Sequence, residues 1–141
     1  MGNTIKATTT GWAEVGAKWR AVVDNGDEMT KRALYEGAGT VADEIKTRLE
    51  GVLGKYATGQ LVNSLGIADM HCVKMLADTS VGFNGYDDRW RANQLKARAL
   101  ESGTSKQPAR PFVRPAVNSC REEAEAAMAA EFKKQLNNKV K

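Results

Sequence analysis

Three prolines stand at 108, 111 and 115, and the 141-residue chain has no others. Proline fixes φ and removes a backbone donor, so residues 107–115 can be neither a central strand nor a helix interior. Gln107, Arg110 and Arg114 each precede a proline and are pushed towards extended geometry. Pro115 suits the first turn of a helix, where a missing N–H costs nothing. The stretch Leu100–Pro115 therefore reads as a stiff, basic, extended arm. It pivots at Gly103, is anchored by Phe112 and Val113, and opens into a helix.

Helical periodicity frames that arm. Between Gly11 and Val23, Trp12, Val15, Trp19 and Val22 recur at spacings of three and four, which marks a one-faced helix. Core packing is the expectation for both tryptophans. Asp24–Gly26 reads as a turn. From Glu28 to Leu53, the residues Leu34, Ala38, Val41, Ala42, Ile45, Leu49 and Val52 fall within an arc of roughly 100°. Arg32, Glu36, Asp43, Lys46 and Glu50 lie opposite, and Asp27 is the expected N-cap. Gly37 and Gly39 fall on the polar side, where they are expected to admit close packing by another chain. Thr58 is read as the cap of a short turn carrying Leu61 and Leu65 inward.

Over residues 65–84, Ile67, Val73, Met75, Val81 and Phe83 alternate with polar or small neighbours, which predicts two or three short antiparallel strands. Asn84-Gly85 signals a turn, and Tyr86–Trp90 reads as an exposed loop tip. Residues 93–101 have helix propensity, yet Leu95, Ala97, Ala99 and Glu101 alternate as in a strand, and strand is the reading adopted. After the arm, Val117, Cys120, Ala124, Ala127 and Met128 form another helical stripe. Glu122, Glu123 and Glu125 come early and Lys133, Lys134 and Lys139 late, an order that complements the helix dipole. Residues 1–10 and 137–141 are expected to be flexible. The predicted architecture is one α+β domain over 1–141: a small antiparallel sheet packed by two long helices, plus a shorter N-terminal helix.

Chemistry is sparse. His71 and Cys72 are adjacent, so in a strand they face opposite ways and form no nucleophile–base pair. Cys72 and Cys120 read as reduced, buried, small apolar side chains. Phosphate-loop, dinucleotide and zinc spacings are absent, and Asp87-Asp88 offers few ligands for a hard cation. No enzyme activity, cofactor or metal is expected. Nor does any apolar run approach the ~20 residues of a membrane span. Without an apolar signal core at its start, the chain is expected to be soluble and made in the cytosol. Net charge is +4, but between Arg89 and Arg114 seven basic residues face the single acid Glu101, giving +6 there and −2 elsewhere. Such a concentration suits an acidic partner or nucleic acid, with a solvated loop as the plain alternative. Only Trp90 and Phe112 lie among these cations, too few for a base-stacking platform.

One set of residues goes further. A long helix is followed by Thr58-Gly59-x-Leu61-x-x-Ser64, then strands and Glu101-x-Gly103-Thr104. Pro108-Ala109-x-Pro111-Phe112-x-x-Pro115 and a closing helix complete the pattern. Over roughly residues 28–136 this resembles the head–tail joining, or tail-completion, proteins of long-tailed bacteriophages and prophages. The resemblance implies a non-enzymatic virion protein that forms a ring, typically sixfold, at the head-proximal end of the tail tube. It implies as partners further copies of the chain, the tail tube protein and the neck or head-closure protein, with DNA passing through the lumen. The subunit or partner interface is then expected at Glu101, Gly103, Thr104, Lys106, Pro108, Arg110, Pro111, Phe112 and Arg114. A tube-facing loop is expected at Phe83, Asn84, Tyr86, Asp87, Asp88 and Trp90. A small basic nucleic-acid-binding module is the alternative, and there Lys106, Arg110 and Arg114 contact phosphate.

Overall fold

The computed structural model describes residues 10–54 and 59–141. Its architecture is α+β, with two long helices packed together, a shorter N-terminal helix and short antiparallel strands. Helix α1 spans Thr10–Asp24 and α2 spans Gly26–Val52. Next come the single turn α3 (Gln60–Asn63) and the strands β1 (Leu65–Ile67), β2 (His71–Val73), β3 (Leu76–Asp78) and β4 (Val81–Phe83). Helices α4 (Asn93–Ser102) and α5 (Val113–Val140) complete the chain. Thr58, the expected cap, lies outside the described residues, as do residues 1–9 of the expected N-terminal arm.

The apolar stripes read from the sequence are what joins α2 to α5. Ile45 and Leu49 of α2 are buried with Ala116 of α5, Leu61, Ala97 and Phe112 in one core cluster. The two helices run antiparallel. Arg48 Nη2 donates to Ser119 Oγ at 3.0 Å near one end, and Lys139 Nζ to Asn25 Oδ1 at 3.3 Å near the other. Gly37 is buried between them, and a Cβ there would run into the Met128 side chain. The glycine expected to admit another chain thus admits the chain's own α5. Helix α5 continues to Val140, so residues 137–140, expected to be flexible, are helical.

The strands make one bent hairpin in two pieces. Leu65, Gly66 and Ile67 pair with Phe83, Gly82 and Val81, while His71, Cys72 and Val73 pair with Asp78, Ala77 and Leu76. The register slips by one residue between the pieces, the signature of a bulge around Asp69. At the tip, Lys74 and Met75 both have positive φ (51° and 62°), as a two-residue hairpin turn demands. Neither residue favours that conformation. It is held from outside: Asp27 Oδ1 accepts the Met75 N–H at 2.6 Å, and the Met75 side chain lies over Gly26, 2.7 Å from where a Cβ would stand. Asp27, expected to cap α2, clamps the hairpin tip instead.

Residues 93–101, read as a strand, are helical. Asn93 and Ala97 are buried, and Leu100 and Glu101 half-buried, which is helical spacing. The propensity of Gln-Leu-Lys-Ala-Arg-Ala-Leu-Glu prevails over the alternation. Trp12 and Trp19, expected in the core, are 73% and 64% exposed; α1 turns only Val22 fully inward.

Candidate functional site

Residues 103–112, between α4 and α5, form a closed loop where an extended arm was expected. Gly103 ends α4 at φ 75° and ψ 172°, a combination confined to glycine. A Cβ there would also lie 2.7 Å from the Ala109 backbone nitrogen. Thr104 and Gln107 then close a tight turn, with N–H to C=O distances of 2.8 and 3.3 Å. The Arg110 N–H donates to the Leu100 carbonyl at 2.7 Å, which returns the chain to its starting point. The prolines stiffen this return without carrying it away from the body.

Glu101 locks the loop to the next helix. Its Oε2 accepts the N–H groups of Phe112 (2.7 Å) and Val113 (2.8 Å), and its Oε1 that of Arg114 (3.0 Å). These are among the N-terminal donors that a helix cannot satisfy internally, and a carboxylate there also meets the positive end of the dipole. Desolvation works to raise the Glu101 pKa, but the three N–H groups and the Arg114 charge outweigh it and hold the carboxyl below its ordinary value. Phe112 is fully buried, edge-on to Phe83 with ring centroids 6.0 Å apart. Glu101 and Phe112, expected at an interface, therefore brace their own subunit.

The remaining residues of that group face outward. Lys106, Pro108, Arg110, Pro111 and Arg114 are exposed, and none of the three cations forms an ion pair among the described residues. The result is a cationic corner whose backbone is fixed and whose charges are free.

The second expected group, residues 83–90, is also more ordered than a loop tip. Asp87 is buried and acts as its hub. Its Oδ1 accepts the N–H groups of Arg89 (2.9 Å) and Arg91 (2.8 Å), while Oδ2 meets Lys96 Nζ (2.8 Å) and Arg91 Nε (3.1 Å). The Lys96 bond, then the backbone N–H groups and the Arg91 charge, outweigh desolvation and hold this carboxyl far below the carboxylate range. Those contacts neutralise two of the seven cations in the basic segment. Asp88 accepts from Gln60 Nε2 at 2.6 Å, so the adjacent carboxylates diverge to separate partners. Asn93 Nδ2 donates to the Asn84 carbonyl at 3.0 Å and ties this loop to α4. Tyr86 and Trp90 remain outside, ring centroids 6.2 Å apart, with Trp90 held at φ 57°.

His71 is exposed while Cys72 is half-buried with its Sγ donating to the Asp27 carbonyl, and desolvation, then Asp27, push that thiol up. Among the described residues no group of three or more His, Cys, Asp or Glu side chains could hold a metal ion, and no helix is long and apolar enough to cross a membrane. The sequence reading missed two features. One was the salt-bridge hub at Asp87, signalled only by cations four and nine residues further on. The other was the outward face of α1, whose periodicity is the same whether or not something covers it. Comparison with protein-family models, curated proteins and solved structures finds no match to this chain.

Proposed function

We propose that the protein is a structural component of a phage tail, forming a ring that terminates the tail tube and joins it to the neck. The observation that carries this reading is the Glu101 clamp, which presents Lys106, Arg110 and Arg114 as a fixed, unpaired cationic corner. The resemblance of the residue pattern to tail-completion proteins supports it, since the most specific part of that pattern builds the corner. So does the polarity of the molecule: the corner lies at the C-terminal end of α2, and the exposed apolar face of α1 begins before the other end. A subunit in a closed ring presents different patches to its two neighbours, a head-to-tail contact. Here the corner is docked as a preformed block, and little ordering cost remains to be met on assembly. Its partner is an acidic protein surface, because DNA sliding through a lumen is poorly served by tight phosphate contacts.

The test is charge reversal at Lys106 and Arg110 together with Arg114→Gln, so that no new carboxylate faces Glu101 and the backbone clamp stays in place. The parent is expected to form rings and cap tail tubes in electron micrographs when mixed with the tube protein. The triple variant is expected to keep its circular dichroism and lose capping entirely. Capping at the parent's level by the variant rejects the assignment. Salt-dependent duplex DNA binding by a ringless parent, lost on charge reversal, selects the nucleic-acid module instead.

A further inference from the structure

Helix α1 carries an apolar surface that the other described residues do not cover. Val15, Trp19 and Val22 face Leu136 and Val140 of α5 across an open slot of about 490 Å³. Trp12 stands beside this slot and outside its lining, 73% exposed. Between Trp12 and Trp19 lies Gly16, where a Cβ would meet nothing within 4 Å. Glycine in a helix interior costs about 1 kcal/mol relative to alanine, and among the described residues no contact accounts for it.

We infer that α1 is a two-fold interface between copies of this chain, with Trp12 of each copy seated in the slot of the other. The helix supplies both halves of the contact. Turning a second α1 antiparallel about Gly16 sets Trp12 of each copy near Trp19 and Val22 of its partner. The bare backbone at Gly16 lets the helices approach at the crossing point. Area points to a second copy as the occupant. A whole tryptophan side chain presents roughly 250 Å², so Trp12 and Trp19 leave about 340 Å² open. Val15, Val23 and Val140 bring the patch to about 500 Å². A stable interface covers roughly 800 Å² per partner, about 65% of it apolar between identical subunits, which again comes to about 500 Å². The contact is isologous, whereas ring closure through the cationic corner is head-to-tail, so the two are separable.

The experiment uses the full chain carrying Lys106→Glu, Arg110→Glu and Arg114→Gln, which abolishes the corner's positive charge and leaves α1 unchanged. Sedimentation is expected to show a concentration-dependent dimer. Adding Trp12→Ala is expected to weaken it at least a hundredfold, since the loss occurs twice across the axis, with an unaltered circular dichroism spectrum. A parent that stays monomeric at hundreds of micromolar overturns the inference, as it does if α1 is covered by a different protein. A dimer indifferent to Trp12→Ala overturns it equally.

Discussion

Replacing Glu101 with alanine is expected to destabilise the fold by about 2–3 kcal/mol, measured by urea unfolding at neutral pH. Three backbone N–H groups at the start of α5 lose a charged acceptor at once. A bond to a charged group is worth about 1.5–3 kcal/mol when buried, and partial exposure of Glu101 discounts each of the three. Glutamine, keeping an acceptor but losing the charge, should fall between. The pH dependence follows from the direction of the shift. A carboxyl held below its unfolded value stabilises the fold above that value, and the contribution disappears as pH falls through the folded one. The gap between parent and Glu101→Ala should therefore close on acidification. Asp87 also loses its stabilising charge in acid, but it does so in both proteins and cancels in the difference. A gap that persists unchanged at low pH means that the carboxylate is not what holds the loop.

Phe112→Ala should have the larger effect, a loss of about 3–5 kcal/mol. The ring is fully enclosed at the junction of the hairpin, α4 and α5, within the same cluster as Ile45 and Leu49. Removing it leaves a cavity and ends the edge-to-face contact with Phe83. Since Phe112 is the residue at which the loop re-enters the core, the cationic corner should loosen along with the fold. Hydrogen exchange is expected to rise at the Arg110 amide, which donates to Leu100. Phe112→Leu, with less volume removed, should retain most of the stability. If Phe112→Ala unfolds at the parent's midpoint, the corner is not anchored by the core.

Much of this architecture was legible in the amino-acid order because long helices write their buried faces at a fixed period. Ile45 and Leu49, and Cys120 and Ala124 on the facing helix, are of that kind, although the buried residue in the first turn of α5 is Ala116 where Val117 was expected. Phe112 could be read as an anchor because an aromatic residue among prolines has few other roles. What escaped depends on contacts between distant parts of the chain. The Lys74–Met75 turn carries none of the usual turn residues, and its support comes from Asp27, far back in the sequence. Glu101 looked like a lone acid in a basic tract, and only the return of the loop reveals it as a helix cap. Residues 93–101 were misread because a strand and a helix can share one short pattern, and alternation was weighed above propensity. The tryptophans of α1 show the converse limit: periodicity identifies an apolar face and is silent about what covers it.

In the proposed assembly, a loop clamped to its own subunit offers its cations to a second protein. Electron cryomicroscopy of the protein assembled on tail tubes tests this most directly. Glu101 should still hold the Phe112, Val113 and Arg114 amides while Lys106, Arg110 and Arg114 pair with carboxylates of an adjoining chain. Finding those three side chains in open solvent, or answered only by their own subunit, contradicts it.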